Sequence, residues 1–214
     1  MKDKLIIIAA GEGNRWGNHT GTTKHLVVVD GESLLARQVR LFDWCDVTII
    51  GSSLEYKIPG ADLIIPAETG KRDVNMECVL TEKLWNKEGR TLITLGDIFF
   101  TEEAVETIRD YKKKDMMFFG REGEGVTCEY GELFCHSFYP HQHHLYKEAY
   151  ETAAKMYEVG KINNCEWWEH YRILDNIDPN IHEVGEHFTE INDMTDDFDF
   201  PKDYDIWQKL YSNS

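Results

Sequence analysis

The chain has 214 residues, 42% of them apolar and 12% aromatic, enough to build a core and too many for a disordered segment. Its 39 acidic and 23 basic side chains give a net charge of −16, which excludes a nucleic-acid wrapper because phosphate backbones are held by basic patches. No uncharged apolar run approaches the roughly 18 residues of a transmembrane helix, so no membrane partner is expected.

In chain order, the first element is Leu5-Ile6-Ile7-Ile8-Ala9, an apolar run without polar alternation, which predicts a parallel strand buried on both faces. With Ala10 the run is still too short for the core of a secretory leader, so a cytoplasmic protein is expected. An Asp30-Gly31 turn precedes a helix over 33–42. Residues 46–51, 62–66 and 91–96 repeat the format of the first strand, and 73–86 has apolar residues at helical spacing. Thr101, followed by two glutamates, is an N-cap opening a helix to residue 111. Further strands are expected at 116–119, 132–138 and 188–191, and helices at 145–159, 166–174 and 204–211. This alternation predicts a three-layer α/β/α fold around a mostly parallel, mixed sheet, with ligands at the carboxyl ends of the strands. No repeat or flexible linker divides the chain, so residues 1–214 read as one domain. The five cysteines form no C-x-x-C pair, which argues against a disulfide framework and against a zinc or redox centre.

Ala9-Ala10-Gly11-Glu12-Gly13-Asn14-Arg15 follows the first strand, where glycines let backbone amides approach an anion. A P-loop fails, because Gly70-Lys71 lacks both the upstream glycine and the following hydroxyl. A dinucleotide fingerprint is weak, because Trp16 stands where the third glycine belongs and Asp30 reads as a turn residue.

Ala9-Ala10-Gly11-x-Gly13-x-Arg15, then Lys24, then Leu26-x-x-x-Asp30-Gly31 resembles the N-terminal motif of nucleotidyltransferases with the GT-A-like fold, the sugar-1-phosphate nucleotidyltransferases and phosphocholine cytidylyltransferases among them. Thr23 departs from the pattern, since the family has proline before the lysine. The resemblance covers residues 4–42, 91–100 and 188–207 and matches the middle of the chain loosely. It implies a Mg²⁺-dependent transfer of NMP from an NTP to a small phosphorylated acceptor, with residues 1–112 binding the NTP and 113–214 the acceptor. Backbone amides at Ala9, Ala10, Gly11 and Gly13 would then cradle the triphosphate, and Arg15 and Lys24 would neutralise its charge and that of the transition state. Asp97, just past a buried strand, and Asp199, in Asp197-Phe198-Asp199-Phe200-Pro201, match the two Mg²⁺ ligands. Two carboxylates suffice, because Mg²⁺ also takes phosphate oxygens and waters. The neighbouring Asp193, Asp196 and Asp203 read as a solvated run or helix caps.

Thr69, Gly70 and Asn75 fall where the family reads the base or ribose, though an ordinary loop with an Asp73 cap explains them as well, and the base stays open. Trp167, Trp168 and Glu169 are the candidates on the acceptor side. Aromatic faces stack on sugars or hold quaternary ammonium groups, while a tryptophan-rich helix also simply packs a core. Only Lys147, Lys155, Lys161 and Arg172 are basic between residues 128 and 174, which favours a monophosphate acceptor, a hexose-1-phosphate before phosphocholine. His136, His141, His143 and His144 surround Pro140 without a zinc-ligand spacing and read as a polar turn. Two alternatives stand beside this reading: a glycosyltransferase that uses the D-x-D at 197–199 to hold a nucleotide sugar, and a catalytically idle nucleotide-binding protein of the same fold.

Overall fold

A computed structural model describes residues 2–11, 13–67, 74–127 and 130–212, and over 74–77 the backbone. β1 (Asp3–Ala9) sends Leu5, Ile7 and Ala9 into one core layer and Ile6 and Ile8 into the other, so its unbroken apolar run is covered on both faces. After a glycine-containing loop, β2 (Val28–Val29) and β3 (Glu32–Ser33) form a hairpin. Its turn residues Asp30 and Gly31 have φ of 52° and 83°, the left-handed pair that a tight two-residue connection requires. Ser33 then caps α1 (Leu34–Leu41), its hydroxyl accepting the Ala36 N–H at 3.2 Å.

β4 (Cys45–Gly51), β5 (Ala61–Ile64), α2 (Val74–Glu82), β6 (Thr91–Leu95) and β7 (Ile98–Phe99) follow. α2 stops short of the expected residue 86. The Asn86 side chain accepts the N–H groups of Glu88 and Gly89 at 3.1 and 3.0 Å, a local turn that competes with helix. α3 (Glu102–Asp110) is capped by the Thr101 hydroxyl, as its sequence predicts. The second half comprises β8 (Met117–Arg121), β9 (Glu132–Phe138), α4 (His143–Glu158), α5 (Trp167–Leu174), β10 (Phe188–Glu190), β11 (Asp196–Asp197) and α6 (Pro201–Tyr211). α6 begins earlier than expected because Pro201 fits the first helical position and Asp203 accepts the Phe200 N–H at 2.7 Å.

Among the described residues the main sheet has seven strands in the order β10-β8-β9-β6-β1-β4-β5, all parallel except β9, which is antiparallel to both neighbours. Leu35 and Val39 of α1 and Val105 and Ile108 of α3 cover one face with Leu5, Ile7 and Ile49. Cys78 of α2, Tyr146, Tyr150 and Ala153 of α4 and Trp167 and Tyr171 of α5 cover the other with Ile6, Ile8 and Ile93. The fold is therefore the expected three-layer α/β/α arrangement around a mixed sheet. A third cluster joins Tyr204 and Trp207 of α6 to Trp16, Val27, Phe99 and Phe198. Cys45, Cys78, Cys135 and Cys165 are buried thiols outside any disulfide, and Cys128 lies outside the described residues. No described helix is long and apolar enough to cross a membrane.

The histidines do not form one polar turn. His136 is fully buried in β9, with its Nδ1 2.7 Å from the Tyr146 hydroxyl, and the buried His170 ring meets the Tyr146 carbonyl at 3.1 Å. His143 opens α4 and packs against the Trp85 ring. Burial holds His136 well below the ordinary histidine range and pushes His170 down to about 3. Both are neutral in the fold and would charge in the unfolded chain below pH ~6.5. Stability is thus complete above that pH and is lost as acid carries the protein toward the folded-state values. Each histidine adds a slope of up to about 1.4 kcal/mol per pH unit. Urea denaturation from pH 7 to 4.5 should show this loss, and His170→Gln should flatten it by close to one proton. An unchanged slope in that variant would assign the acid sensitivity to other groups.

Candidate active site

The loop after β1 is shaped by one glycine and one tryptophan. Gly13 has φ 62°, a left-handed conformation that a side chain would strain, and its carbonyl accepts the N–H groups of Trp16 and Gly17 at 3.0 and 3.3 Å. Trp16, 1% exposed, donates its indole N–H to the Thr22 carbonyl at 2.8 Å and sits edge-on to Tyr204. The residue that spoils a dinucleotide fingerprint therefore pins the loop to α6.

Lys24 follows Thr23, whose φ of −71° is the value a proline ring would impose and whose ψ of 154° is open to proline. The departure from the family pattern leaves the presentation of Lys24 intact. Thr22, at φ −142° and ψ 170°, is already in the extended region that a following proline demands. Thr23→Pro should therefore stabilise the protein by about 0.4–1 kcal/mol through the unfolded state, a rise of roughly 1–4 °C in melting temperature. A fall in melting temperature in a calorimetric scan would mean the ring does not fit.

The acids arrive from two distant segments. Asp97 sits in the turn between β6 and β7. The buried Gln38 side chain donates to the Leu95 and Ile98 carbonyls, both at 2.9 Å, and accepts the Thr94 hydroxyl at 3.0 Å, which fixes both ends of that turn. Gly96 is needed there, because a Cβ would lie 2.8 Å from the Ala9 Cβ and 3.1 Å from His25. β11 pairs antiparallel with β7, placing Asp197 opposite Ile98 and Asp196 opposite Phe99. Side chains alternate along this extended stretch, so Asp197 and Asp199 share one side while Phe198 enters the third core cluster.

The carboxylates of Asp97, Asp197 and Asp199 lie within 4.8 Å of one another. The Lys24 ammonium pairs with Asp97 and, at 2.9 Å, with Asp199, whose other oxygen is 2.7 Å from the Arg15 guanidinium. Burial opposes the Lys24 charge, but Asp97 and Asp199 hold it above the usual lysine value. Burial likewise works against the Asp97 charge, and Lys24, then His25, hold its carboxyl below the usual range. Among the described residues no cation pairs with Asp197, and burial and the nearby Glu132, Asp97 and Asp199 push its carboxyl well above the usual range. These groups line a cleft of about 390 Å³ at the carboxyl ends of β1 and β6. Three hard oxygen donors within 4.8 Å of one another suit a magnesium-like ion, and no sulfur or imidazole ligand competes in that trio.

Of the residues named from sequence, Gly11, Arg15, Lys24, Asp97, Asp199, Trp167 and Trp168 line this cleft. Ala9 is core, and Ala10 is half-buried against the opposite layer. Thr69 and Gly70 lie outside the described residues, and Asn75 is in the first turn of α2, its side chain undescribed. Trp168 donates its indole N–H to the Gly131 carbonyl at 2.9 Å and carries the Arg172 guanidinium over its ring at 5.2 Å. Glu169 accepts the Glu166 N–H at 2.9 Å, capping α5 with Arg172 3.9 Å away. Asp203 is a helix cap as expected, but Asp196 is fully buried near Arg121, and Asp193 holds Thr101 at 2.6 Å, so neither is a solvated acid. Asp197, to which the sequence gives a role only through the D-x-D of the glycosyltransferase alternative, joins the site because its i, i+2 spacing with Asp199 in an extended segment puts both on one side. Nothing local in the sequence marks Glu132, which also lines the cleft.

No protein-family profile and no curated protein matches the chain. Its fold is that of solved nucleotidyltransferases. A Bacillus anthracis protein described as a glucose-1-phosphate thymidylyltransferase aligns at a TM-score of 0.66 and 15% identity, over 99% of this chain and 96% of that one. The CTP:phosphocholine cytidylyltransferase of Streptococcus pneumoniae aligns at 0.62 and 15%, over 99% and 100%. The inositol-1-phosphate CTP transferase of T. maritima aligns at 0.56 and 12%, over 98% and 96%.

Proposed function

We propose that the protein is a cytoplasmic nucleotidyltransferase that moves NMP from an NTP to a small phosphorylated acceptor and releases pyrophosphate. The observation that carries this is the meeting of Arg15 and Lys24 with Asp97 and Asp199 in one cleft beside the glycine loop. Transfer to glucose-1-phosphate, phosphocholine and inositol-1-phosphate, the reactions for which the three structures of like fold are named, supports the same class.

In this reading residues 1–112 bind the NTP and 113–214 the acceptor, within one domain. An acceptor phosphate oxygen forms a bond to the α-phosphorus as the bond to pyrophosphate breaks in line. The attacking oxygen is already anionic near neutral pH, so no protein base is required. Lys24 and Arg15 supply positive charge as the α-phosphorus becomes five-coordinate, and the amides of Gly11 and Gly13 are assigned to the phosphates. Asp97 and Asp199 would hold Mg²⁺, with Asp197 beside them; that ion neutralises triphosphate charge when bound. Thr69, Gly70 and Asn75 are assigned to the base or ribose. Trp167 and Trp168 face the acceptor, and Glu169 sets the start of the helix that carries them.

Pyrophosphate release tests this, screened over four NTPs with Mg²⁺ against sugar-1-phosphates, phosphocholine and alditol phosphates. One productive NTP–acceptor pair is expected, a hexose-1-phosphate before phosphocholine. Failure of ATP, CTP, GTP and UTP all to bind in calorimetry with Mg²⁺ would overturn the reading.

A further inference from the structure

We propose that the Lys24 ammonium is the resident counter-ion of Asp97 and Asp199, and that a divalent ion replaces it efficiently only when a triphosphate arrives to receive Lys24. The triphosphate half of this rests on the nucleotidyl-transfer reading; the counter-ion half concerns the free protein alone.

The side chains of Lys24 and Asp97 are 8% and 7% exposed, and the ammonium touches both acids assigned to the ion. Mg²⁺ needs those oxygens at about 2.0–2.1 Å, in the space the ammonium fills, so the two cations exclude each other. Charge leads to the same conclusion. Asp97 and Asp199 already pair with Lys24 and Arg15, so a divalent ion added to the free site drives Lys24 off the two carboxylates that hold it. A triphosphate reverses this balance. It brings about four negative charges and supplies the oxygens that a displaced ammonium needs. Metal and nucleotide affinities are then coupled, each raising the other by the same factor.

The test uses the full chain and Mn²⁺, with free Mn²⁺ read by electron paramagnetic resonance. Wild type should bind Mn²⁺ weakly without nucleotide, and Lys24→Met at least tenfold more tightly. Lys24→Arg, which keeps the charge, should stay within threefold of wild type. A non-hydrolysable α,β-methylene NTP should raise Mn²⁺ affinity at least tenfold in wild type and by a smaller factor in Lys24→Met. If Lys24→Met is unstable without metal, Mn²⁺ at concentrations that leave wild-type melting unmoved should raise its melting temperature. Equal Mn²⁺ affinities of wild type and Lys24→Met without nucleotide, or no such rescue of melting, overturn the exchange. No binding of any triphosphate to wild type, with Lys24→Met still gaining Mn²⁺ affinity, removes the nucleotidyl reading and leaves the counter-ion role standing.

Discussion

Asp97→Asn and Asp199→Asn should each lower metal-dependent pyrophosphate release by about 10²–10³-fold, the loss expected when one preorganised charge leaves a site of this kind. The fold should survive both changes. In Asp97→Asn, Lys24 keeps Asp199 at 2.9 Å, and Asp197 loses one of the acids that crowd it. In Asp199→Asn, Lys24 keeps Asp97, and the half-exposed Arg15 returns to solvent at little cost. Melting temperatures within about 5 °C of wild type are therefore expected. A variant with normal melting and turnover reduced less than tenfold would remove that acid from the metal site.

Lys24→Ala and Arg15→Ala should slow the catalytic step more than they weaken NTP binding. The charge they meet grows as the α-phosphorus becomes five-coordinate, so each contributes more to the transition state than to the bound substrate. The expected loss for Lys24 is ~2.7–4 kcal/mol, or roughly 10²–10³ in kcat, by analogy with oxyanion donors. Arg15 should cost less, because its side chain is 49% exposed and water screens it. Single-turnover rates set against calorimetric NTP affinities separate the two effects. Equal losses in both quantities would make these cations binding groups with no preference for the transition state.

Much of this architecture was legible because it is local. The unbroken run Leu5–Ala9 could only be a strand covered on both sides, and Thr101 announced the helix it caps. Asp30-Gly31 carried its own turn geometry, and the glycine loop and Lys24 were marked by residue type and order. The orientation of β9 was not legible, since an apolar run reads alike in either direction and neighbouring strands decide the pairing. The fate of the aromatic helix was hidden for a similar reason. Trp167 and Trp168 reach the cleft while Glu169, the next residue, turns to its own helix start, and that division depends on how α5 lies against the sheet.

What the sequence determined by itself is thus the inventory of the site: two cations after β1, an acid after β6 and a D-x-D near the end of the chain. Their convergence was decided by tertiary structure. Asp97 and Asp199 are about a hundred positions apart, and they meet because a two-residue ladder between β7 and β11 closes across the end of the sheet. Phe198 locks that ladder into the cluster formed by Trp16 and Trp207. The same packing recruits Asp197 and Glu132 and seats Lys24 among the acids. Like charges at such separations come together only where core burial holds their backbones, and that energy belongs to residues that carry no mark of the chemistry.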